Sequence, residues 1–254
     1  MSSFEELGIA GDLLRGIEDL GFAEAMPIQE KAIPLILNTQ DDLVGLAQTG
    51  TGKTAAFGLP MVQLADARDK STQALILAPT RELCLQISGN MTSFAKYLPQ
   101  LNIVTVYGGA DMDRQIKALK RGAQIIVATP GRMNDLLNKR GKIDLSSLKM
   151  VVLDEADEML NMGFKEELDA ILDRTPTDRR TLLFSATMPT EVERLSRSYM
   201  KKPQTVTIGT RNAGGEKIEH VYYSVHSKDR YLALKRIVDL NPNIYGIVFC
   251  PTRA

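Results

Sequence analysis

The stretch GLAQTGTGKTAAF, residues 45–57, runs from apolar residues through two closely spaced glycines into a segment with helical spacing. It reads as a strand end, a tight turn and a helix start. It departs from the G-x-x-x-x-G-K-[ST] pattern only in having Ala47 at the first glycine position. Gly50 and Gly52 let the backbone curl so that successive N–H groups point inward, and the helix that follows adds its dipole. Such a concavity takes phosphate oxygens, with Lys53 reaching the terminal phosphates and the Thr54 hydroxyl available to Mg²⁺. The plain alternative is a glycine-rich strand-to-helix turn with an exposed lysine.

Outward from this turn, short β-rich runs recur at 41–47, 72–79, 101–107, 123–129, 148–154, 180–187 and 204–209. Most are separated by segments of helical apolar spacing, such as RELCLQISGNMTSFAKYL and PTEVERLSRSYM. Apolar strands alternating with helices predict an α/β fold, a mostly parallel sheet covered on both faces. In such a sheet ligands bind beyond the carboxyl ends of the strands. The polar clusters AQTGTGKT, PTREL, YGG, TPGR, DEAD and SAT all follow predicted strands at that end. The predicted domains are 1–208, a glycine-rich linker over 209–217, and 218–254. In the last piece IEHVYYSV, DRYLALKRIVDL and NIYGIVFC read as strand, helix and strand. Roughly 45 residues cannot bury an independent α/β core, so this piece is expected to be the truncated start of a second domain.

Lys plus Arg balance Asp plus Glu at 31 each, so a polyanion would have to be held by a local patch rather than by the overall field. Cys84 and Cys250 fit neither a disulfide framework nor zinc spacing, which points to a reducing, cytoplasmic setting. The start, MSSFEELGIA, lacks the form of a secretory signal. The apolar runs are too short to span a bilayer.

In VVLDEADEML, residues 151–160, Asp154, Glu155, Asp157 and Glu158 crowd together behind an apolar run. Next to a phosphate loop, an acid at the end of a buried strand belongs beside magnesium, a role for Asp154. Glu155 would orient and deprotonate an attacking water. Mg²⁺ and Lys53 would then supply the positive charge that the cluster lacks. A helix dipole alone accounts for acids in a first turn, which suffices for Asp157 or Glu158 taken singly.

Asp154-Glu155-Ala156-Asp157 spells DEAD, and the chain resembles the DEAD-box ATP-dependent RNA helicases along nearly its whole length, with the motifs in the family's order. The resemblance implies a RecA-like P-loop NTPase domain followed by an incomplete second α/β domain. It implies ATP and Mg²⁺ as cofactors, with Ala47, Gln48, Thr49, Gly50, Thr51, Gly52, Lys53 and Thr54 around the nucleotide and Thr54 and Asp154 at the metal. Lys53, Asp154, Glu155 and Asp157 form the catalytic set. Gly21-Phe22, Pro27-Ile28-Gln29 and an isolated Phe4 match the Q motif; by resemblance Phe22 stacks on adenine and Gln29 bonds its edge, with Pro27 part of the same motif. A side-chain amide can accept from N6–H₂ and donate to N7 together, which favours adenine over guanine. Taken singly, Phe22 reads as core and Gln29 as surface.

By the same resemblance Ser185, Ala186 and Thr187 form a latch to Asp157 that couples nucleotide and RNA. The matching RNA positions are Pro79, Thr80, Arg81, Gly108, Gly109, Thr129, Pro130, Gly131 and Arg132. Glycines, helix N-termini and arginines suit phosphates and 2′-hydroxyls, which position a strand without reading its bases. With no Trp in the chain there is no run of aromatic platforms for base stacking.

In the second piece only Ile247–Thr252 resembles a family motif, and the segment that brings arginine fingers is missing. Such fingers are worth roughly 10³–10⁵ in rate in related hydrolysis, so the chain alone is expected to hydrolyse ATP very slowly. The expectation is a monomeric lobe of an RNA helicase, with protein partners bound through other segments. Two alternatives stand beside it: an ATP-dependent RNA clamp or assembly factor, and a superfamily relative acting on DNA.

Overall fold

The structure is a computed structural model, described here for residues 2–138, 143–209 and 221–250. The chain divides into two compact units, Met1–Ala213 and Gly214–Ala254.

The first unit holds one seven-stranded sheet, every pairing in it parallel, in the order β3-β4-β2-β5-β6-β1-β7. The strands are β1 Leu43–Leu46, β2 Ala74–Leu77, β3 Ile103–Val106, β4 Ile125–Ala128, β5 Met150–Asp154, β6 Arg180–Ser185 and β7 Gln204–Thr207. Each lies inside one of the seven predicted runs. Helices connect them: α1 Gly11–Glu18, α2 Pro27–Asn38, α3 Lys53–Leu64, α4 Arg81–Phe94, α5 Met112–Lys120, α6 Pro130–Asn138, α7 Ala156–Asn161, α8 Lys165–Leu172 and α9 Thr190–Tyr199.

Strand alternation inside the apolar runs splits the interior into two cores. Leu43, Ile76, Val152 and Leu182 face one side, where α1–α4 pack. Val44, Leu75, Leu77, Val151 and Leu183 face the other, against helices that include α6, α8 and α9. Gly45 in β1 is a packing requirement, because a Cβ there would stand 2.6 Å from the Phe184 ring. That ring in turn packs on Phe57 of α3, with centroids 5.2 Å apart. The residue just before the phosphate loop is therefore seated against the core of the neighbouring strand.

The second unit, over its described residues, contains one short 3₁₀ turn, Ser227–Asp229, and α10 Arg230–Leu240. The strands predicted on either side of α10 do not form among the described residues. A strand needs a neighbour for its N–H and C=O groups, and Tyr222, Ile247 and Phe249 meet none, being 92%, 81% and 89% exposed. The predicted linker, apart from Gly209, lies outside the described residues, as do His220, Pro251 and Thr252. Cys84 and Cys250 are both free thiols, the first buried and the second exposed. Among the described residues no helix is long and apolar enough to cross a membrane.

Candidate nucleotide and RNA site

Because β5, β6 and β1 are neighbours, the loops after them converge: DEAD after β5, SAT at the end of β6, and the phosphate loop after β1. The loops after β3, β4 and β2, carrying YGG, TPGR and PTREL, converge beside them on the same edge of the sheet.

A cleft of about 390 Å³ lies over the first group, within the range of small-molecule sites. Of the residues predicted to bind nucleotide, Phe22, Gln29, Thr49, Gly50, Gly52, Lys53 and Thr54 line it, together with Asp154 and Glu155. Ala47, Gln48, Thr51 and Pro27 do not. Ala47 is buried and continues the sheet, its N–H donating to the Ser185 carbonyl at 3.1 Å. The Thr51 hydroxyl closes the turn by donating to the Gln48 carbonyl at 2.7 Å. Pro27 opens α2 from the first position, where its missing N–H costs nothing.

Lys53 is 5% exposed, and its Nζ lies 3.0 Å from Glu155 Oε1. Beyond this ion pair Nζ has no hydrogen-bond partner among the described residues. Sequence reasoning set Lys53 against Asp154; the nearest carboxylate is instead Glu155. Asp154 is 2% exposed, and burial pushes its carboxyl up to about 7, with Lys53 opposing and Glu155 adding to the rise. Glu155 itself has φ 51 and ψ 52, a left-handed backbone unusual for a residue with a side chain. A buried ammonium held by one carboxylate and no further hydrogen bond, with a second carboxylate crowded beside it, is high in energy unless an anion and a cation complete it. A nucleotide phosphate with Mg²⁺ fits both deficits. Among the described residues no three His, Cys, Asp or Glu side chains converge as a metal cage. Of the cleft's lining, Thr54 and Asp154 are the oxygen-bearing side chains that would help hold such an ion.

Gln29, which reads as surface when taken singly, is 3% exposed. Its Oε1 accepts from the Met26 N–H at 2.8 Å, and its Nε2 donates to the Gly52 carbonyl at 3.1 Å. Gly52 has φ +86, and a Cβ there would stand 2.3 Å from Gln29 Nε2. One amide hydrogen and one lone pair remain, enough for a base edge. Phe22 is half-buried between Phe4 and Phe94, each ring centroid 6.0 Å from its own. Phe4 is itself tied down. The Ser2 N–H donates to Glu30 Oε1 at 2.7 Å, and Gln63 bridges Gly8 and Ala10.

Asp157 stands behind the cleft. Thr187 reaches its Oδ2 with both its hydroxyl, at 2.6 Å, and its N–H, at 2.9 Å, while the Asp157 N–H donates to Ser185 Oγ at 3.3 Å. Burial works to raise the Asp157 carboxyl, but the hydrogen bonds from Thr187 and Ser185 prevail and hold it below its ordinary value. Ala186 lies between the two hydroxyl residues. Cys84, close enough to feel Asp154, is pushed up to about 12 by burial and stays a thiol.

On the other half of the edge, Thr80 caps α4 by accepting from the Leu83 N–H at 3.2 Å. Arg81 lies over the Tyr107 ring, 4.9 Å from its centroid. Arg132 of α6 donates to the Ala110 carbonyl at 3.1 Å, which ties the TPGR turn to the loop carrying Gly108 and Gly109. Pro79 and Pro130 are buried; Gly108 and Gly109 are exposed. Along the cleft α4 presents Leu83, which the sequence offers only as the end of PTREL, and Gln86, Asn90 and Phe94, which sequence reasoning did not single out. Their three- and four-residue spacing was legible, but it equally describes an ordinary helix face.

Residues 26–195 match the model of the DEAD/DEAH box helicase family. The chain is 44% identical over 253 residues to the DEAD-box ATP-dependent RNA helicase CshA of Geobacillus kaustophilus, covering 100% of this chain and 54% of that one. It is 45% identical over 250 residues to CshA of Streptococcus pneumoniae, covering 98% of this chain and 47% of the relative. The chain thus spans about half the length of the curated relatives it matches. A crystal structure of a DEAD box protein from Methanococcus jannaschii superposes with a TM-score of 0.76 at 40% identity, covering 98% of this chain and 66% of the other. The seven-stranded sheet, the phosphate loop beside the acidic strand end and these matches agree: the chain belongs to the DEAD/DEAH box helicase family.

Proposed function

We propose that residues 1–208 form the nucleotide-binding, RecA-like lobe of a cytoplasmic ATP-dependent RNA helicase, and that 218–254 begin its second domain. The observation that carries this reading is the buried Lys53 ammonium in the cleft, paired with Glu155 alone, with the buried Asp154 carboxyl crowded beside that pair. Lys53 would hold the β- and γ-phosphates, Thr54 and Asp154 would hold Mg²⁺, and Phe22 and Gln29 would seat adenine. When bound, the ion supplies charge neutralisation and orients the phosphates. Glu155, freed from Lys53, would orient and deprotonate water. Thr187 and Ser185 would keep Asp157 in register with RNA bound over Arg81, Gly108, Gly109, Thr129, Gly131 and Arg132, through its backbone and without base preference. In the intact two-domain enzyme, ATP-driven closure would bend one strand out of a short duplex; this chain alone would turn over slowly.

Calorimetric titration of the chain with ADP in the presence of Mg²⁺ tests the core of this. Saturable heat that Lys53→Ala removes is the expected result; no heat from the unsubstituted chain would overturn it. In the intact enzyme, Glu155→Gln should retain ATP binding and stall hydrolysis and strand separation. Strand handling that persists unchanged would favour a clamp instead.

A further inference from the structure

The cleft has a wall that the phosphate loop and the acidic strand end do not account for. Leu83, Gln86, Asn90 and Phe94 recur at helical spacing on α4 and all line it. At one end Phe94 meets Phe22, so that end is aromatic; at the other stand Lys53, Asp154 and Glu155. Asn90 lies one turn from Phe94, about 6 Å along the helix, and Gln86 about 12 Å. They therefore flank the middle of the cleft, where a nucleotide whose base sits by Phe22 and whose phosphates sit by Lys53 would place its sugar. Neither side-chain amide has a hydrogen-bond partner among the described residues. Gln29, by contrast, already gives one hydrogen and one lone pair to backbone, leaving enough for a base edge and nothing for a sugar.

We propose that Asn90, assisted by Gln86, is a specificity-determining residue that hydrogen-bonds the ribose hydroxyls of the bound nucleotide. A carboxamide can accept from one hydroxyl of a vicinal pair and donate to the other, which suits a ribose and gains nothing from a sugar lacking both. The inference rests on the nucleotide reading of the cleft and sharpens it from phosphate binding to ribonucleotide selection.

The test is calorimetry on the chain with Mg²⁺ and three ligands: ADP, 2′,3′-dideoxy-ADP and inorganic pyrophosphate. Asn90→Ala should weaken ADP about 3- to 10-fold, the net worth of one neutral hydrogen bond, and leave the other two ligands unchanged. Gln86→Ala should act in the same direction and less. Alanine favours a helix more than asparagine does, so a thermal melt unaltered or slightly raised is expected and separates recognition from folding. Equal weakening of all three ligands, or unchanged ADP binding, overturns the assignment. If Lys53→Ala weakens every ligand while Asn90→Ala changes none, the α4 assignment alone falls. If the unsubstituted chain binds no ligand, the nucleotide reading falls and takes this one with it.

Discussion

At the ends of β1, β5 and β6, Lys53, Asp154, Asp157 and Ser185 are each less than a tenth exposed, whereas Arg81, Gly108 and Gly109, beyond β2 and β3, lie open to solvent. The two groups share one sheet edge and differ in how they carry charge. In the buried half, charges are few, crowded and incompletely paired, so their energies are large and a ligand that completes them gains much. In the open half, Arg81 is exposed and Arg132 only half-buried, and each contact they make to a partner contributes little and is screened by salt. The first arrangement suits one small ligand bound tightly, the second a long polyanion held by many weak contacts.

Several substitutions would break or sharpen that contrast. The largest effect is expected for Lys53→Ala, which removes the cation from the buried half. Affinity for Mg²⁺-nucleotide should fall by about 100-fold or more, the worth of charge-assisted bonds in a water-poor site, measured by calorimetry. Gly52→Ala should come next. Its Cβ would collide with Gln29 Nε2 at 2.3 Å and Met26 Sδ at 2.7 Å, on a backbone with φ +86. A cost of about 1–3 kcal/mol in urea unfolding should accompany loss of nucleotide binding.

Thr187→Ala removes one of the two bonds Thr187 makes to Asp157 and should cost about 1–2 kcal/mol at pH 7. The Asp157 carboxyl titrates below its unfolded value of 3.8. Its contribution is therefore complete above 3.8 and disappears as pH falls through the lower folded value. Urea titrations at pH 7 and pH 3 should show the Thr187→Ala penalty shrinking in acid; a penalty that grows there would contradict the proposed linkage. The smallest effects belong to the open half. Arg81→Ala and Arg132→Ala should each weaken single-stranded RNA binding about 2- to 5-fold, with the salt slope reduced by about one per residue, read by anisotropy at two ionic strengths. A loss there as large as that from Lys53→Ala would erase the distinction between the halves.

How much of this the chain announces beforehand follows the same division. All seven strands were legible, because a strand buried on both faces must be apolar throughout and stands out between helices. The phosphate loop and the acidic strand end were legible because their chemistry demands rare residue combinations. In the second unit only the helix was legible, α10 lying inside DRYLALKRIVDL: IEHVYYSV and NIYGIVFC have strand composition, yet composition supplies no neighbouring strand to pair with. Gln29 and Lys53 were legible as types and not as environments. Nothing in PIQEK tells that the amide is 3% exposed and braced on Gly52, and nothing in GKT tells that the ammonium sits by Glu155 rather than Asp154. The left-handed backbone of Glu155 was equally invisible, since glutamate has no preference that would flag it.

The packing of Phe4 against Phe22, with Ser2 anchored on Glu30 and Gln63 gripping Gly8 and Ala10, bears on how the molecule is handled at the bench. Its first ten residues look like a trimmable leader, but they are the backstop of the ring proposed to meet the base. A bulky fusion butted directly onto Ser2, or a version beginning after Ala10, would be expected to handle phosphate normally while losing the affinity that stacking of the base on Phe22 contributes.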